Sequence, residues 1–178
     1  FDEQVNIFID NIDQNLSQRL DPQVTERISY WYAEAFFDFP PPVAPGAYEV
    51  LEEVRRMGYR VGMISNTGMT PGRLFRRYLA QHNILDFFQV LTFSDEAGLC
   101  KPSTEMFHMT LEALGTTPDR AVHLGDHIAN DVLGGNRAGM RTMLLGTAEG
   151  QEKMADPHLQ IQSLQELPRV LETSPLLR

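Results

Sequence analysis

The sequence predicts an α/β fold: a parallel sheet with helices on both faces, behind a small helical segment at the N-terminus. Three observations predict it. Four short apolar runs, Tyr59–Ser65, Val90–Phe93, Ala121–Leu124 and Thr142–Leu145, alternate with stretches of helical period, which implies parallel strands joined by helical crossovers. Polar residues follow three of these runs directly, at the carboxyl ends where such sheets bind ligands. The run Pro40-Pro41-Pro42 breaks any helix and separates the first 39 residues from the rest.

Taken in order, Val5, Ile9, Ile12, Leu16 and Leu20 recur at helical spacing and predict a first helix. Asp21-Pro22 is a cap followed by a first-turn proline, opening a second helix through Val24, Ile28, Trp31, Tyr32, Ala35 and Phe36. These two form the segment 1–39; the main domain is 40–178. There, Pro45 to Met57 reads as an amphipathic helix through Val50, Leu51 and Val54, stopped by Gly58. Thr70-Pro71 starts a helix through Leu74, Tyr78 and Leu79. Pro102-Ser103 starts another through Met106, Phe107, Thr110, Leu111 and Leu114, ended by Gly115. A further helix joins the third and fourth strands. Ser163 and Glu166 have capping-box spacing for a short last helix.

Composition narrows the function. The chain has 178 residues, enough for one domain of ordinary size with a small appendage. Its 15 basic and 24 acidic residues leave a net charge of −9. That field repels nucleic acid and anionic membrane, yet favours capture of a divalent cation. A single cysteine, Cys100, excludes a disulfide framework and a cysteine-rich zinc site. No apolar run approaches the roughly 20 residues of a membrane span, and no signal peptide is visible. A cytoplasmic protein, monomer or homodimer, is the expectation.

The chemistry sits after the strands. Ser65-Asn66-Thr67-Gly68 follows the first, Ser94-Asp95-Glu96 through Lys101-Pro102 the second, and Gly125-Asp126 through Asn130-Asp131 the third. A hydroxyl, a lysine and two carboxylates converging there would suit an anionic substrate held against a metal. Each piece has a plainer reading: a tight turn for Ser-Asn-Thr-Gly, a solvated charge for Lys101, a helix cap for Asp126. Their combination, in this order, carries the weight.

That combination resembles the haloacid dehalogenase-like hydrolase superfamily, over residues 43–171. The second motif of that family matches Val61-Gly62-Met63-Ile64-Ser65-Asn66-Thr67. The third matches Gly98-Leu99-Cys100-Lys101-Pro102, running on to Glu105-Met106-Phe107. The fourth matches Val122-His123-Leu124-Gly125-Asp126 through Asn130-Asp131, then Gly134 to Met140. The resemblance implies a Rossmann-like core and a phosphatase acting on small phosphomonoesters through an aspartyl-phosphate. It implies that Ser65, Asn66, Thr67 and Lys101 bind phosphate, that Lys101, Asp126 and Asp131 are catalytic, and that Asp126 holds Mg²⁺. Asp131 would order the loop, the metal waters or Lys101.

One departure stands out. The family's first motif is a strand ending in Asp-x-Asp, carrying the nucleophile and the acid/base, and this chain has no Asp-x-Asp. Asp10 and Asp13 are three apart within a helical pattern, which favours two acids on a helix over a degenerate motif. The family's first strand lies between those ending at Ser65 and Gly125, so the expectation is that it precedes Phe1. Without it the sheet would fall into two halves with unpaired edges, and 1–39 would be part of a cap inserted after it. The aromatic residues Tyr30, Trp31, Tyr32, Phe36, Phe37 and Phe39 would line a substrate pocket or pack the cap on the core. Two alternatives remain: a metal-free 2-haloacid dehalogenase, whose fourth motif generally replaces Gly-Asp with Ser and Asn, and a catalytically silent binding protein. No histidine has metal-ligand spacing, and only His127, beside Asp126, is placed to touch a ligand.

Overall fold

Two small parallel sheets, not bonded to each other, form the centre of the structure, a computed structural model that describes residues 1–174. The first pairs β1 (Gly62–Ser65) with β2 (Val90–Phe93), with Ser65 opposite Phe93. The second has the order β3 (Val122–Gly125), β4 (Arg141–Leu145), β5 (Leu159–Ile161), with Gly125 opposite Leu144. The split expected of a sheet lacking its central strand is what the structure contains. Strand β5 was not among the expected elements: three residues are too few for a period to register.

Nine helices accompany the strands among the described residues. The N-terminal segment holds α1 (Asp2–Ile12), α2 (Leu16–Arg19) and α3 (Pro22–Glu34). One continuous helix through Leu20 was expected, but the chain breaks at Asn15, whose φ of 58° is left-handed. Asp10 explains the break: its carboxylate accepts the Ser17 N–H at 2.8 Å and the Ser17 hydroxyl at 2.9 Å, and so anchors the start of α2. Asp10 therefore sits on a helix, and Asp13 pairs with Arg19. Asp21 caps α3 as its spacing predicts, accepting the Gln23 N–H at 2.8 Å.

The main domain adds α4 (Ala47–Arg56), α5 (Gly72–Gln81), α6 (Ser94–Ala97), α7 (Thr104–Ala113), α8 (Leu133–Arg137) and α9 (Leu167–Thr173). The capping box forms at Ser163 and Glu166, on the turn leading into α9.

Alternation along the strands puts helices on both faces. On β1, Ile64 packs with Phe107 and Leu111 of α7, whereas Met63 packs with Tyr78 and Leu79 of α5. On β3, the His123 ring stands edge-on to Phe107, whereas Val122 joins Val50 and Val54 of α4 and Leu171 of α9. Helix α7 thus lies over both half-sheets on one side, and α4 over both on the other. Between β1 and β3 lies a cavity of about 630 Å³, lined by Gly62, Ile64, Leu114, Val122, His123 and Met140 among others. Phe36 and Phe37 belong to the α5 cluster, and the Arg77 guanidinium lies 3.8 Å from the Phe37 ring centre, so these two aromatics pack the helical segment on the core. Trp31 and Phe39 instead are exposed, at 65% and 93%.

Candidate active site

Lys101 belongs to both half-sheets. Its backbone is held from the β1 side: Asn66, just past that strand, donates from Nδ2 to the Lys101 carbonyl at 3.0 Å and accepts its N–H on Oδ1 at 2.8 Å. Its side chain is held from the β3 side: Nζ donates to Asp131 Oδ1 at 2.6 Å. An ammonium has three donors, and one is used here.

Asp131 is buried at 3% exposure, in a wide turn (Ile128–Val132) that opens the helical stretch after β3. Its Oδ1 also accepts from His123 Nε2 at 3.0 Å, and its Oδ2 accepts the His127 N–H at 3.1 Å. An ionised carboxylate only accepts, so the imidazole donates, which fixes its tautomer. Burial pushes the Asp131 carboxyl up. The His123 hydrogen bond and the charge and hydrogen bond of Lys101 outweigh it and hold the group well below the usual carboxylate range. Of the roles open to Asp131, the structure fills two: it anchors Lys101 and closes the loop.

Gly125 makes room for this. A Cβ there would stand 2.2 Å from Asp131 Cγ. The glycine of Gly-Asp is needed for close approach and not for a left-handed turn: it is absent from the glycines with positive φ.

The other expected site residues divide. Ser65 ends β1 and Asp126 follows β3, so both stand at the carboxyl end of the gap, and neither side chain has a hydrogen-bond partner among the described residues. Asp126 is exposed. Thr67 departs from expectation. It is buried; its N–H donates to Ser94 Oγ at 3.0 Å and its hydroxyl to Asp95 Oδ1 at 3.1 Å, so neither is offered to a phosphate. Asp95 also accepts the Gly72 N–H, and Glu96 pairs with Arg76, so the acids after β2 tie α5 in place. His127 caps the turn, its Nδ1 accepting the Asn130 N–H at 3.2 Å.

His123 is the residue that sequence reasoning passes over. Its signal is the two-residue period of β3, which puts it on the same face as Gly125, under Asp131.

Among the described residues no three His, Cys, Asp or Glu cluster as a metal cage. A lone, exposed, unpartnered carboxylate fits Mg²⁺ all the same, since that ion commonly takes one or two carboxylates and fills its shell with substrate phosphate and water. Asp126 is the residue with that chemistry.

The sequence profile of the haloacid dehalogenase-like hydrolases matches residues 3–139. A glyceraldehyde 3-phosphate phosphatase of Methanopyrus kandleri is 28% identical over 134 residues, which are 74% of this chain and 55% of that protein. A phosphoserine phosphatase of Thermus thermophilus is 32% identical over 138 residues, 76% of this chain and 54% of that one. The crystal structure of a HAD phosphatase from Thermococcus onnurineus superposes with a TM-score of 0.64 at 22% identity, covering 96% of this chain and 91% of that one, which shows a shared fold. The chain spans about half the length of the curated relatives it matches.

Proposed function

We propose, from the premise that the chain belongs to the haloacid dehalogenase-like hydrolase family, that its site works as a Mg²⁺-dependent phosphatase of small phosphomonoesters. One observation carries the reading. Lys101 is bonded to Asn66 on the β1 side and to Asp131 on the β3 side, so that residues following the carboxyl ends of both half-sheets hold it.

In this reading the phosphoryl group sits at the carboxyl ends of β1 and β3. The Ser65 hydroxyl and the N–H groups near Asn66 donate to its oxygens. Lys101 neutralises charge on the phosphoryl group and on the attacking carboxylate, with Asp131 keeping it in place. Asp126 would hold Mg²⁺, which would supply further positive charge against the phosphoryl oxygens. The attacking carboxylate is not among the residues of this chain; it would come from an extended segment seated between β1 and β3, ending in Asp-x-Asp. Attack forms a carboxylate–phosphorus bond and breaks the ester P–O bond. The leaving oxygen takes a proton from the second Asp of that segment, and water then releases inorganic phosphate. The helical segment 1–39 acts as part of a cap, and the core spans 40–178. Substrates are of the class acted on by the named relatives, small phosphorylated metabolites, in the cytoplasm. No helix among the described residues is long and apolar enough to cross a membrane.

The test is hydrolysis of an aryl phosphate by the chain supplied with an apolar segment ending in Asp-x-Asp, fused ahead of it. Turnover should require both the segment and Mg²⁺. Turnover by the 178 residues alone, or undiminished turnover in excess chelator, would overturn the reading.

A further inference from the structure

Asp126 presents an unusual pairing: a carboxylate without a partner on a backbone that is held on both sides. Ahead of it, Gly125 is fixed by pairing with Leu144 of β4. Behind it, the holding comes from a residue far along the chain. Gln151 donates from Nε2 to the Asp126 carbonyl at 2.9 Å, and its Oε1 accepts the Ile128 N–H at 2.7 Å. These groups belong to the two peptide units flanking His127, so one side chain fixes both.

The loop carrying Gln151 is built to present it. It leaves β4 through Gly146, with a φ of 84°, and turns again at Gly150, with a φ of 77°. Thr147 Oγ1 accepts the Glu149 N–H at 3.1 Å, and the Gln151 N–H bonds the Ala148 carbonyl at 3.1 Å. Gln160 ties the base of the loop down by donating to the Gly146 carbonyl at 2.6 Å. Ile128 is buried at 3%, and its N–H opens a helical turn, where the backbone supplies no acceptor. Gln151 supplies it. The position needs an acceptor and a donor on one planar group at this reach: Leu has neither, and Asn is one methylene short.

We infer that Gln151 is a positioning residue for Asp126, holding the backbone of that carboxylate in the orientation in which it takes Mg²⁺. The inference rests on the reading of Asp126 as the metal-binding residue. Groups that orient a metal ligand typically change metal affinity by 10–100-fold when removed.

The experiment titrates the isotopically labelled chain with MgCl₂ alone and follows the backbone amides of Asp126 and His127 by NMR, with hydrogen exchange at the Ile128 amide measured in parallel. The wild-type chain should show saturable shifts that Asp126→Asn abolishes. Gln151→Leu should weaken Mg²⁺ binding roughly tenfold and speed exchange at Ile128. Gln151→Asn, which keeps an amide, should do the same and carries the test if the leucine variant fails to fold. Faster exchange at Ile128 with wild-type Mg²⁺ affinity would make Gln151 a structural tie only and overturn the inference, leaving the Asp126 reading intact. Absence of any shift in the wild-type chain would overturn both.

Discussion

Asp131 lies so close over Gly125 that a Cβ on the glycine would fall 2.2 Å from its Cγ and 2.5 Å from its Oδ2. No carbon pair tolerates that distance, and the carboxylate cannot retreat without releasing Lys101 and His123. Gly125→Ala is expected to destabilise the fold by about 1–3 kcal/mol, the range for overpacking a filled site. Urea denaturation measures it, and a neutral result would show that the turn can widen.

Asp131→Asn removes the charge that offsets Lys101, whose side chain is only 13% exposed. Breaking a buried pair in this way costs on the order of 3 kcal/mol. The pH dependence follows from the depressed carboxyl. Its contribution is full above the ordinary carboxylate pKa of about 4 and is lost as the pH falls below that. The asparagine variant should therefore be less stable than wild type at pH 7, with the difference narrowing on acidification below pH 4. Thermal melts across that range check the convergence.

Asp126→Asn should behave in the opposite way. Its exposed side chain supports nothing in the fold, so stability should stay within about 0.5 kcal/mol of wild type. Mg²⁺-dependent turnover by the chain carrying the Asp-x-Asp segment should fall by two to three orders of magnitude, about what one preorganised electrostatic contact contributes. Paired melting and rate measurements separate this variant from Asp131→Asn.

Thr67→Val tests an assignment that the structure changed. Removing the hydroxyl leaves Asp95 with one fewer donor in a half-buried site. The expected loss is about 1–3 kcal/mol of stability. KM for an aryl phosphate, measured on the chain carrying the segment, should stay unchanged. A raised KM with unchanged stability would return Thr67 to the substrate.

How far the sequence could be read depended on how local each signal was. That Ser65, Lys101, Asp126 and Asp131 lie near strand ends was legible, because each ends, follows or trails an apolar run. The division into two half-sheets was legible because the central strand could be missed by its motif. Asn15 was not: a left-handed break inside a helical period shows up only through the Asp10–Ser17 bonds that it permits. The partners of Thr67 were not legible, because a Thr after a strand looks the same in sequence whether its groups face a ligand or Ser94 and Asp95. His123 leaves only the two-residue period of β3 as its trace, and Gln151, which acts through a partner 25 residues away across two loops, leaves no spacing in the chain.

The gap between β1 and β3 has one more consequence, for self-association. An open strand edge is a template on which another chain can pair, and edges facing outward invite stacking into open-ended sheets. Here the two edges face one another across a cavity bordered by Thr110 and Leu111 of α7 and by Leu171 of α9, with Arg60, Arg120 and Arg141 among its lining residues. A sheet cannot reach either edge; a single extended strand can. At these two inner edges the fold therefore admits one strand per molecule, and one such insertion uses both at once; the outer edges of β2 and β5 are separate from the gap.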